Sequence, residues 1–196
     1  FFFLTFTLID TLSQFFFREV YRFRPQIVSG DFDLVLAKPI NSLFRSLLGG
    51  ADVIDLITIP PLIYAVVYVG SLLQPDIIHI SLFIILVING LLIATAFHIA
   101  VLALGILTTE IDHTVMIYRD LVSMGRFPVD IYKEPVKGIL TYLIPVAAMV
   151  TLPAKILMGA LSPVGVLTAL LIGIASVFVA TRFWKFALRY YTSASS

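Results

Sequence analysis

Few side chains in this 196-residue chain could do covalent chemistry, and their spacing argues against it. The three histidines, His79, His98 and His113, lie too far apart for a local metal site, and there is no cysteine to supply a thiolate. The chain has no G-x-x-x-x-G-K-S/T loop to cradle nucleotide phosphates, no G-x-S-x-G elbow and no zinc-binding H-E-x-x-H. Its glycines are scattered through apolar surroundings. The chain therefore reads as no enzyme, with no catalytic residue, metal or cofactor of its own.

What remains is the chemistry of recognition. Five basic residues (Arg18, Arg22, Arg24, Lys38 and Arg45) and three acids (Glu19, Asp31 and Asp33) crowd into residues 18–48. Isolated polar groups inside apolar sequence are the other candidates, because ionisable residues at membrane depth are functional by default. Asp10 is one. Asn89 and His98 could line a solute pathway, although packing between helices is their commoner use. Asp52 and Asp55 fit a helix N-terminus, which favours carboxylates, and Lys155 fits a side chain snorkelling toward an outer surface.

The elements that must position these groups follow from composition. Hydrophobic residues make up 60% and charged residues 13% of the chain, about half the charge of a soluble domain. Residues 56–75, 77–109, 138–154 and 156–181 contain no Asp, Glu, Lys or Arg, and a spanning helix needs about 20 mostly apolar residues. The runs are apolar at consecutive positions, unlike the alternation of a transmembrane β-barrel. The expected fold is an all-α polytopic membrane protein forming one domain over 1–196. Its parts are a partial span 1–17, a polar loop 18–48, spans 51–73 and 77–107, a short span 114–126, a proline-rich segment 128–154, a last span 161–185 and a tail 186–196. The chain opens on "FFFLTFTLID" with its apolar run already under way, which reads as the tail of a span rather than a secretory signal.

Basic residues near span ends place the loop 18–48 and the C-terminal tail on the cytoplasmic side. The turn "LLQPDII" then lies outside. Two routes lead onward. In one, 114–126 crosses and 128–154 dips into the outer leaflet and returns; in the other, 108–137 stays inside and 138–154 crosses alone. Counting Arg119, Arg126, Lys133 and Lys137 favours the second. Within the polar loop, Ile40, Leu43, Phe44, Leu47 and Leu48 follow helical spacing, so an amphipathic helix is expected from Pro39 to a stop at Gly49-Gly50. The plainer use of such a helix is to anchor the loop at the membrane surface; the sharper is to dock a soluble partner.

"SGDFDLVLAKPINSLF" resembles the cytoplasmic loop of the permease subunits of type-2 ABC exporters. "GRFPVDIYKEPVKGILTYLIPVAAMVTLPAKILMG" resembles that family's outer loop, and "RYYTSASS" adds a weaker match at the tail. The resemblance implies a six-helix permease half with its first helix missing here, paired with a second half, homo- or heterodimeric, in membrane lipid. It implies a separate ATP-binding cassette ATPase, carrying the ATP and Mg, docked on the loop through Gly30, Asp31, Asp33, Leu34, Leu36, Lys38, Pro39 and Leu43. It also favours a re-entrant outer segment built on Pro128, Tyr132, Pro145, Pro153 and Gly159, since four prolines would break a lone span. The expected role is export of an amphiphilic or lipid-like solute or drug across the bacterial cytoplasmic membrane, with no nucleic-acid partner. A secondary transporter or channel without an ATPase is the alternative, though the paired intramembrane carboxylates or inverted repeats of such proteins are not evident.

Overall fold

The computed structural model describes residues 1–48, 50, 53–108 and 111–192. Ala51, the first residue of the expected 51–73 span, Asp52, Gly49 and the last four residues of the tail lie outside them. All regular structure among the described residues is helical.

The bundle is organised around α6, Ile77–Thr108. At about 1.5 Å per residue its 32 residues exceed the ~30 Å hydrocarbon thickness of a bilayer. It is apolar all round, as a helix buried in protein on one side and in lipid on the other must be. Against it lie α1 (Phe2–Phe17), α7 (Ile111–Ser123), α9 (Leu152–Leu157) and α10 (Pro163–Leu188). Helix α5 (Val53–Ser71) packs on α1 and leaves Ile54, Leu56, Ile57 and Ile63 exposed. Such a surface suits acyl chains, which are as apolar as the side chains themselves. Pro60 and Pro61 lie within α5 without ending it.

Helices α5, α6 and α10 are long and apolar enough to cross a membrane, and a bent pair over 136–157 would add a fourth crossing if it forms one span. The 16 residues of α1 and 13 of α7 reach only about 24 Å and 20 Å. The expected short span over 114–126 is an amphipathic helix burying Ile111, Val115, Tyr118 and Val122, followed by a 3-10 turn at Met124–Arg126.

The proline-rich segment folds into the bundle. A 3-10 turn at Val129–Ile131 leads to α8 (Val136–Gly138) and a π-helical stretch Ile139–Leu143. The chain then bends by 73° and continues through a second π-helical stretch, Ala147–Thr151, into α9. The bend spans Ile144 to Val146 and therefore contains Pro145, whose missing N–H and bulky ring end a helix. Pro153 lies in the first turn of α9, where proline is tolerated.

Candidate functional site

The loop 18–48 is four short helices. After α1 the chain makes a 3-10 turn, Arg18–Arg22, then α2 (Phe23–Ser29), α3 (Asp31–Ala37) and α4 (Ser42–Leu47). Gly30, at φ 81°, is the corner between α2 and α3; that left-handed conformation strains any residue with a Cβ. The amphipathic helix expected from Pro39 is not formed there. Lys38 is extended, as a residue before proline must be, so Pro39 ends α3 instead of starting α4. The start of α4 is set by Asn41, whose side-chain oxygen accepts the Phe44 N–H at 3.1 Å.

Aromatic and charged contacts hold this loop together and to the body. Phe32 is fully buried, its ring 4.9 Å from Phe23, 6.3 Å from Trp184 and 5.2 Å from Tyr191. Glu19, a buried carboxylate, accepts from Gln26 at 2.9 Å and lies 3.6 Å from the Arg45 guanidinium, so the 3-10 turn, α2 and α4 are joined. Arg24 pairs with Asp112 of α7 at 2.6 Å, but both are exposed and the pair adds little stability.

Of the expected docking residues, Asp31, Lys38 and Pro39 are exposed, and Leu34 and Leu36 keep 62% and 40% of their surface. Asp31 accepts a hydrogen bond from Ser29 at 2.7 Å. Asp33 and Leu43 are half-buried. The Asp33 carboxylate accepts the Tyr191 hydroxyl at 2.9 Å; burial first, and this carboxylate second, push the tyrosine up to about 12. The apolar residues expected along that helix divide: Ile40, Phe44 and Leu48 are exposed, Leu43 is half-buried, and Leu47 is buried and with Phe32 supplies the anchor. Sequence reading missed Phe32 because α3 has only two turns, too few for periodicity to reveal its buried side.

The two expected pathway residues are placed away from open space. Asn89 donates to the Ala169 carbonyl at 2.9 Å, its amide fitted against Gly173, where a Cβ would collide with it. His98 is 1% exposed, with Nδ1 2.8 Å from the Ala94 carbonyl and its ring against Phe17 and Tyr118. Open space lies elsewhere. A cleft of about 600 Å³ between α1 and α5 is bordered by Thr7, Thr11, Gln14, Asp55 and Thr58. There, Asp55 Oδ2 is buried and has no hydrogen-bond partner among the described residues. Beside the cleft, Asp10 of α1 accepts from the Gln14 amide at 2.8 Å. An apolar groove of about 410 Å³ between α6 and α10 is bordered by Phe97, Tyr142, Pro145 and Phe183.

The residues expected to form an outer loop make a tied unit. Tyr132 donates to the Met124 carbonyl at 3.0 Å, while Pro128 precedes the turn whose Val129 N–H reaches Thr151. Gly159, at φ 67°, follows α9. Lys155, expected to snorkel, binds Asp130, which also meets Lys137 at 3.1 Å. The hydrogen bond from Lys155, ahead of the one from Lys137, holds the Asp130 carboxyl below the usual carboxylate range. At the turn before α6, the Asp76 carboxylate accepts the His79 backbone N–H at 2.8 Å, and that hydrogen bond, ahead of the one with the His79 ring, lowers its carboxyl.

Among the described residues no three His, Asp or Glu side chains gather as a metal site would require. The arrangement combines apolar helices of spanning length, a charged loop with uncovered leucines, and a bent, proline-framed segment. No curated protein and no solved structure matches the chain. Residues 1–195 match the family described as ABC-2 family transporter protein, and the chain belongs to that family as a multi-pass membrane subunit of a transporter.

Proposed function

We propose that the chain is the permease half of an ATP-driven exporter, energised by a separate ATP-binding cassette ATPase that docks on 30–48. The carrying observation is the outward display of Leu34, Leu36, Ile40 and Phe44 beside Asp31 and Lys38, on a loop anchored through Phe32 and Leu47. Exposed apolar side chains rimmed by charge mark a protein interface. Two halves pair in the bacterial cytoplasmic membrane with this loop inside, and 128–154 re-enters from the outer side. The solute is amphiphilic or lipid-like. A polar cleft between α1 and α5 and an apolar groove between α6 and α10 offer surfaces for both parts of such a molecule.

Pull-down of the ATPase and ATP-driven transport test this reading with Leu36→Ala, Asp31→Ala and Asp31→Ala/Asp33→Ala. Truncating a buried anchor costs about 2 kcal/mol or more, roughly 30-fold in affinity, whereas a rim charge costs little. Leu36→Ala is expected to release more ATPase than Asp31→Ala. The reading fails if all three variants insert, retain the ATPase and transport at the wild-type rate; the loop would then be a surface anchor only.

A further inference from the structure

Phe32 joins the uncovered face of the loop to a membrane helix. It is fully buried between Asp31, which is exposed, and Asp33, which is half-buried. Its ring lies between Phe23 of α2, Trp184 on α10 and Tyr191 just beyond α10. Phe23 and Trp184 are themselves in contact at 6.2 Å, and Trp184 is 3% exposed. A second link runs in parallel: the Tyr191 hydroxyl donates to Asp33 of α3. Two elements of the loop and the end of α10 therefore share one aromatic core. Close-packed interiors transmit displacement instead of absorbing it.

We propose that Phe32 is a positioning residue that makes α3 and the end of α10 move as one body, so that displacement of the docked ATPase passes directly into α10. This rests on the docking reading above. It adds a route for the motion, and it gives the C-terminal residues around Tyr191 a part in that route.

The chain contains no cysteine, so single cysteines report without background. The full chain, in nanodiscs with its co-purifying ATPase, would carry Ser176→Cys on α10, and its alkylation rate would be measured without nucleotide and with Mg-ATP and vanadate. A several-fold difference between the two states is expected. It should vanish in Phe32→Ala while the ATPase still co-elutes, and return in Phe32→Met, which refills most of the volume. Trp184→Leu, which loosens the same contact from the α10 side, should also abolish the difference while the ATPase still co-elutes. A difference that persists in Phe32→Ala or in Trp184→Leu, or that is absent from the wild type, overturns the proposal. If Phe32→Ala sheds its ATPase, Trp184→Leu decides alone. A wild-type chain that retains no ATPase defeats the docking reading first, an outcome distinct from any of these.

Discussion

The loop 18–48 and the segment 128–157 are built from similar material, short broken helices with prolines and charges, yet they finish differently. In the second, Val146, Ala147, Ala148, Met149 and Val150 are all at most 1% exposed, and Asp130 is held by two lysines. In the first, Leu34, Phe44, Ile40 and Leu48 stay open, and only Phe32, Leu47 and a few neighbours are buried. The second region also leaves Ile131, Tyr142 and Leu143 open, but over a buried apolar layer of its own. The first has little buried beneath its open side chains, and burial against a partner would remove the cost of holding such a cluster in water.

This contrast can be broken in several ways. The largest effect is expected from Met149→Ala, which opens a cavity in a fully buried position and should cost about 2 kcal/mol or more. Thermal unfolding of the detergent-solubilised chain measures it, and Leu34→Ala in the same assay should leave the transition almost unmoved. A loss at Leu34 equal to that at Met149 would mean that Leu34 is packed as tightly as the interior of 128–157.

A step down in size is Gly173→Ala. The new Cβ would meet the Asn89 amide between α6 and α10, and overpacking costs about 1–3 kcal/mol. A matching fall in the unfolding midpoint is expected, with ATPase retention unchanged. If retention falls while stability holds, Asn89 belongs to the transport path and not to packing.

Asp130→Asn should have a smaller effect, within about 1 kcal/mol, because its ion pairs are partly open to solvent. Its pH dependence sharpens the assignment. The folded carboxyl is depressed below its ordinary 3.8, so its contribution is present above that pH and disappears as pH falls through the lower folded value. Unfolding midpoints of wild type and Asp130→Asn should differ by a constant amount at neutral pH and converge in strong acid. The smallest effect belongs to Arg24→Gln, since exposed pairs contribute about 0–1 kcal/mol; a large loss there would show that α2 depends on α7.

Much of the helical frame was legible because charge-free runs and spanning helices share one cause, the exclusion of charge from hydrocarbon. Helix α6 occupies Ile77–Thr108 within the uncharged run 77–109. The loop was less legible. Pro39 reads equally as the first residue of one helix or the stop of the previous one, and only the observed Lys38 and Asn41 backbone separates the two. The expected docking residues rest on a resemblance in "GDFDLVLAKP", and Phe32, in the middle of it, is not among them.

By itself the sequence determined an all-helical membrane chain, the lack of a nucleotide-binding loop of its own, and the place where charge leaves the bilayer. These properties depend on composition along the chain, and each residue contributes regardless of its distant neighbours. Tertiary structure decided which apolar residues of the loop are anchors and which are free, that Lys155 answers Asp130, and that Asn89 is used against Ala169 and Gly173. Each of these joins residues far apart in the chain, such as Phe32 with Trp184. The choice among such partners is made by close packing, which local spacing does not encode.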